Sequence, residues 1–219
     1  MRSVLVTGAG GFVGPHLARA LASRGAHVHG LGLGGPPASF ELASWRECDL
    51  ASDEGLAAAL AAAKPDAIVH LAGQSSAAAS FEDPEGTFRA NVTGTWKLLD
   101  AMRDATPKAR LVAVSTSEVY GPVEPGTRAA ETAPFRPVSP YALSKAAADE
   151  LARAYGEEHG LDIVRARPFG HSGPGQTPRF VISGWAQQVA AIERGEAEPV
   201  LRVGNLQVTR DISDVRDIV

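Results

Sequence analysis

With a single cysteine among 219 residues, the chain cannot form an internal disulfide, and Cys48 reads as a small buried or half-buried hydrophobe. Basic excess is lacking too. The 21 Lys and Arg face 25 Asp and Glu, the formal net charge is −4, and no basic run stands out. Nucleic acid therefore finds no electrostatic footprint, although backbone amides and a few arginines can still hold a small anion. No apolar run approaches the ~20 residues that span a bilayer. The longest, 56–63, is alanine-rich and reads as a soluble helix. The first strand-like run is cut by glycine at Gly8, too soon for a signal peptide. These absences leave no membrane partner and make the cytoplasm the default location. There is no internal repeat, and no low-complexity tract beyond the alanine-rich helix.

What is present is an ordinary globular balance, 44% apolar and 21% charged, in a chain long enough for one well-cored domain and part of a second. Short apolar runs at 4–7, 27–31, 67–71, 111–115 and 163–167 alternate with helical stretches at 12–23, 52–63, 84–104 and 141–159. The runs lack period-two alternation, as strands buried on both faces do. This order predicts an α/β fold, a doubly wound parallel sheet with helices on both faces. Two connections, 32–48 and 121–140, read as long loops, the second with five prolines. After Arg167 the texture changes to a Gly/Pro-rich stretch, a helix at 181–194 and a strand at 200–203.

Directly after the first strand stands Thr7-Gly8-Ala9-Gly10-Gly11-Phe12-Val13-Gly14. Gly8, Gly11 and Gly14 have the spacing of a phosphate-binding turn. Such a turn must be tight, must let its backbone approach a pyrophosphate, and must pack the next helix close to the sheet. The helix N-terminus then offers amides and a positive dipole end to the phosphates. Nicotinamide enzymes commonly place an acid at the end of the second strand, on the adenosine ribose. Here that strand runs into Gly30-Leu31-Gly32-Leu33-Gly34-Gly35, with no Asp, Glu or Arg, so the choice between NAD and NADP is not legible. Asp49 suits an adenine contact and equally suits capping a helix that starts near Ser52.

Tyr141 and Lys145 lie four apart at the start of a predicted helix, on one face. A lysine beside a phenol lowers the phenol's pKa and makes it a usable acid/base. The fourth strand ends in Ser115-Thr116-Ser117-Glu118, where a hydroxyl can bind the same substrate oxygen as Tyr141.

Several stretches together resemble the extended short-chain dehydrogenase/reductase family, the NAD-dependent epimerases and dehydratases. They are the glycine loop, His-Leu-Ala-Gly-Gln-Ser at 70–75, Asn-Val-Thr-Gly-Thr at 91–95, Ser-Thr-Ser-Glu-Val-Tyr-Gly at 115–121, Tyr-Ala-Leu-Ser-Lys and Gly-Pro-Gly-Gln at 173–176. Within that family the GDP-mannose 4,6-dehydratases and the GDP-4-dehydro-6-deoxymannose reductases are the most similar. The resemblance covers essentially the whole chain. It implies a Rossmann domain over 1–168 with NAD or NADP as cofactor, and over 169–219 the start of a substrate-binding domain that looks truncated. It implies Thr116, Tyr141 and Lys145 as the catalytic set, with Glu118 as the base that dehydratases use at sugar carbon 5. Cofactor contacts would come from Gly8, Gly11, Phe12, Val13, Gly14, Asp49, Leu50, Leu71, Ala72 and Gly73, besides Tyr141 and Lys145. Substrate contacts would come from Ser75, Ser117 and Arg210. The partner it implies is a nucleotide sugar, a GDP-linked hexose, and the assembly a homodimer through helices 84–104 and 141–159; no metal is implied.

The dehydratase and reductase readings pull apart. Ser-Thr-Ser-Glu favours the first; Gly-Pro-Gly-Gln, and the lack of arginines after the second strand, favour the second. Gly170 stands where the family usually has an asparagine, which predicts altered substrate binding. A nucleotide-sugar 4-epimerase and a non-catalytic NAD(P)-binding sensor on the same fold remain alternatives, because fold alone does not settle function.

Overall fold

A computed structural model describes residues 2–36, 42–51, 55–124 and 126–219. They form two compact units, divided between Pro168 and Phe169. In the first, six strands lie in one parallel sheet of order β3-β2-β1-β4-β5-β6. They are β1 (Ser3–Thr7), β2 (His27–Gly32), β3 (Ser44–Glu47), β4 (Ala67–His70), β5 (Arg110–Val114) and β6 (Ile163–Ala166). Alternate residues of a strand face opposite sides, and β1 shows both sides buried. Leu5 packs with α2 (Leu56–Ala63), α5 (Gly94–Ala105) and α6 (Pro140–His159), while Val4 and Val6 pack with α1 (Val13–Ser23). The predicted doubly wound α/β sheet is therefore what forms.

The corrections are physical. β3 falls inside the predicted 32–48 loop. Its Ser-Trp-Arg-Glu has no apolar run, because it is an edge strand with only Trp45 half-buried. The predicted helix at 52–63 is observed as α2; residues 52–54 lie outside the described set. Asp49 does not cap α2, whose N-cap is Gly55; its carboxylate accepts the Ala51 amide and pairs with Arg89 at 2.8 Å. The predicted helix at 84–104 is α4 (Pro84–Phe88), a π-helical turn (Arg89–Thr93) and α5, preceded by α3 (Ala77–Glu82).

In the second unit, 200–203 is not a strand. Arg202 spends its backbone N–H and C=O on the Gln188 side-chain amide, at 2.8 and 3.1 Å. The strands there are β7 (Gly170–Ser172) and β8 (Ile212–Asp214), paired in parallel, with α7 (Val181–Glu193) between them and α8 (Val215–Ile218) after. Among the described residues no helix is long and apolar enough to cross a membrane.

Candidate active site

The site is assembled where β1, β4 and β5 end, around the first turn of α6. Sequence fixes that turn. The Ser139 side chain accepts the Ala142 amide as N-cap, Pro140 occupies the first helical turn, and Gly160 ends the helix in the left-handed region. Tyr141 is thus held at the start of the helix, and its own amide donates to Ser80 Oγ at 3.0 Å. Tyr141 is 8% exposed, and the Thr116 side chain acts to lower the pKa of its phenol. Thr116 is extended, just past β5, and its hydroxyl accepts the Glu118 amide at 3.3 Å, opening a 3-10 turn over Ser117–Tyr120. Glu118 is exposed, and its carboxylate acts electrostatically on the Tyr141 phenol.

One expectation is corrected here. The phenol's pKa is not lowered but raised to about 12, mainly by burial and further by Glu118, with the Thr116 side chain opposing. The lysine is engaged elsewhere. Its ammonium donates to the Val114 carbonyl at 2.5 Å, and burial pulls its pKa down to about 8 while Asp149, one turn on, pushes it up. In this state Tyr141 is a protonated acid, and Lys145 a cation on the threshold of losing its charge.

The glycine loop meets the requirements of a diphosphate seat. Gly8 has a φ of +68°, and a Cβ there would lie 2.6 Å from the Ala72 amide nitrogen. A Cβ on Gly14 would lie 2.1 Å from the Ala9 carbonyl. Close backbone approach thus requires glycine at both positions. Gly11 donates to the Gly8 carbonyl, and Phe12, at the N-cap of α1, supplies no side-chain cap. Val13 opens that helix. Leu71 packs under the loop with Val4 and Val6, and Leu50 is buried beside Gly94. Ser75 is exposed on the loop after β4; Ser117 is half-buried. Arg210 belongs to the second unit, where it is exposed and donates to the Thr209 carbonyl. Also in that unit, a Cβ on Gly170 would come 3.1 Å from the Asp211 carbonyl, so an asparagine there would be tight.

Three groups escaped the sequence reading. Asn91, buried in the π turn, accepts the Gln74 amide and donates to the Gln74 carbonyl and to Ser144 Oγ. Ser144 in turn donates to the Tyr141 carbonyl, so the loop after β4 is tied to the first turn of α6. π turns recur at functional sites.

His70 is the second. Thr7 Oγ1 accepts the Ala72 amide and lies 2.7 Å from His70 Nδ1; with the ring neutral and its proton on Nε2, as Thr95 requires, the Thr7 hydroxyl donates to Nδ1. Thr95 donates to the Asn91 carbonyl, so His70 Nε2–H donates to Thr95 Oγ1 at 2.9 Å. This one-way chain selects the neutral Nε2–H tautomer. Burial, and secondarily Lys145, lower the His70 pKa to about 3. The unfolded chain therefore binds the extra proton first. His70's contribution is fully present above pH 6.5, its ordinary value, and is lost as pH falls toward 3. From pH 7 to 5 this costs about 2 kcal/mol of stability. Urea midpoints at the two pH values check it: His70→Gln flattens the pH slope, and an unchanged slope refutes the assignment.

The third is Asp149, wholly buried, held by Arg165 at 2.7 Å and Arg167 at 2.8 Å. Arg167 also stacks on Phe135 and donates to the Tyr120 hydroxyl.

Residues 4–219 match the model of the NAD dependent epimerase/dehydratase family. The chain belongs to that family. Among curated epimerase/dehydratase relatives, GDP-6-deoxy-D-mannose reductase of Pseudomonas aeruginosa is 37% identical over 99% of this chain and 67% of its own length. GDP-mannose 4,6-dehydratase of Vibrio cholerae is 32% identical over 100% of this chain and 62% of its own. The chain thus spans about two thirds of their length or less. Thermus thermophilus UDP-glucose 4-epimerase, solved with NAD, superposes with a TM-score of 0.87 at 34% identity, covering 98% of this chain and 71% of that one. RMD from Pseudomonas aeruginosa, solved with NADPH, gives 0.81 at 34%, covering 100% and 70%.

Proposed function

We propose that the chain carries the cofactor-binding and hydride-transfer machinery of a nucleotide-sugar enzyme working at sugar carbon 4, of the GDP-mannose 4,6-dehydratase or GDP-4-dehydro-6-deoxymannose reductase type. The observation that carries this is the convergence of the buried Tyr141, one helical turn from Lys145, with Thr116 at the end of β5, in a fold whose glycine loop is shaped for a diphosphate. NAD or NADP would lie with its diphosphate on Gly8, Gly11 and the start of α1, and its adenosine toward Asp49 and Leu50. When bound it supplies the hydride acceptor or donor.

The chain's own residues handle the protons. Tyr141, protonated as the site stands, gives its proton to a carbon-4 carbonyl oxygen in the reductive direction and takes it from the hydroxyl in the oxidative one. Thr116 orients that oxygen. Lys145, once turned from Val114, offsets charge on the phenolate. In a dehydratase, the carbon-4 ketone acidifies carbon 5; Glu118 would remove that proton and give it to the carbon-6 hydroxyl as water departs, and the 5,6-alkene so formed would take the hydride back at carbon 6 and a proton at carbon 5, leaving the cofactor oxidised again. Domain 1–168 would hold the cofactor, and 169–219 would contribute to the sugar site, with Ser75, Ser117 and Arg210 as substrate contacts.

Mass spectrometry after incubating the protein with GDP-mannose and catalytic NAD or NADP tests this. Loss of one water establishes the dehydratase and gives Glu118 its role. No mass change, with reduction of the 4-keto sugar by NADPH or NADH, establishes the reductase. Failure of both refutes the reading. A homodimer through α5 and α6 is part of it, because Trp96 and Leu143 on those helices are each about half exposed. Light scattering should give twice the chain mass, and Leu143→Glu should halve it. We place the enzyme in the cytoplasm; a chain with a single cysteine needs no oxidising compartment.

A further inference from the structure

The end of β2 carries no acid in sequence, and the structure shows what stands there instead. Gly30 and Gly32 share one face of β2, and Gly30 is in register with Trp45 of β3. A Cβ on Gly30 would come 2.8 Å from the Trp45 indole, and one on Gly32 also 2.8 Å. The ring is pinned by its Nε1–H, which donates to the Gly34 carbonyl at 3.1 Å. Two residues on and on the same face of β3, Glu47 accepts the Gly34 amide at 3.1 Å. The indole thus fills the space of a side chain at 32, and the neighbouring strand delivers a carboxylate to the same strand end. Arg46, adjacent in sequence, goes the other way; its chain runs by Gly55 on the opposite face.

In nucleotide-binding sheets of this topology the end of the second strand meets the adenosine ribose, where a carboxylate accepts from the 2′-hydroxyl and a guanidinium accommodates a 2′-phosphate. We infer that Glu47, supplied by β3, takes the role of the missing acid and makes the site select NAD(H) against NADP(H). The inference rests on the dinucleotide reading above and adds its specificity. Two elements contribute to discrimination. The carboxylate can accept from a ribose hydroxyl, and it repels a phosphate at the same position. Trp45 leaves no room beneath it for a cation grown from residue 32.

Isothermal titration of NAD⁺ and NADP⁺, each alone and without turnover, tests it on wild type, Glu47→Gln and Glu47→Arg. Wild type should bind NAD⁺ at least about tenfold tighter than NADP⁺, the effect of one like charge held near a phosphate. Glu47→Gln keeps an acceptor for Gly34 but removes the charge, so the ratio should fall to within about threefold. Glu47→Arg should reverse it. Equal or tighter NADP⁺ binding in wild type, or an unchanged ratio in Glu47→Gln, overturns the inference and leaves the dinucleotide reading standing. Binding of neither dinucleotide overturns both. Unchanged melting temperatures in the two variants, expected because Glu47 is exposed, separate charge from folding.

Discussion

Tyr141→Phe should lower turnover by about 10²–10⁴-fold, the span of a lost general acid/base. It should leave the protein folded. Tyr141 is nearly fully buried, and the substitution removes only its hydroxyl, leaving the Glu118 amide on Thr116 in place. The cost to stability should stay within about 1 kcal/mol. A pH profile adds a second check. Burial holds the phenol near 12 and Lys145 near 8, so in the free protein the ammonium is lost well before the phenol ionises. Wild-type activity should therefore fall on the alkaline side with the lysine. A Tyr141→Phe enzyme that retained more than about a tenth of the wild-type rate would remove Tyr141 from the proton path.

Asp149→Ala should be the most damaging change to stability, because it strands two guanidiniums that converge on one wholly buried carboxylate. Breaking such a pair from one side costs about 3–5 kcal/mol, and the lower end applies because Arg165 keeps part of its surface in water. For a chain of this size about 3 kcal/mol lowers the melting temperature by roughly 10 °C. Asp149→Asn is the milder probe. It keeps the shape but removes the negative charge that props up the Lys145 pKa. The alkaline limb of activity should then move to lower pH. If calorimetry shows a loss under about 1 kcal/mol for Asp149→Ala, the ion pairs are surface-like in strength.

Most of the sheet was legible because its strands are apolar enough to be buried on both faces, and their alternation with helices leaves few topologies. β3, β7 and β8 were not. They are three or four residues long, and their pairing rather than their composition makes them strands. Tyr141, Lys145 and the glycines could be proposed from the sequence because each is marked by spacing along the chain. Asn91, His70 and Asp149 act through partners far off in sequence. Asn91 meets Ser144 across 53 positions, and His70 meets Thr7 across 63. Two of the three sit in motifs that were recognised as strings, 70–75 and 91–95, without a task for these side chains. The Lys145 expectation failed for a related reason: spacing put it on the tyrosine's face, but only coordinates show its ammonium turned to Val114.

The seating of Trp45 on Gly30 and Gly32 also constrains the order in which this protein can change. An aspartate at 32 would strike the indole, and a smaller residue at 45 would leave Gly32 with no ring over it, while Leu42 still covers Gly30. Each change alone carries a packing cost that the pair together relieves. Descendants of this sequence are thus held to a carboxylate borrowed from the edge strand. Homologues that carry the acid at 32 should carry a small residue at 45.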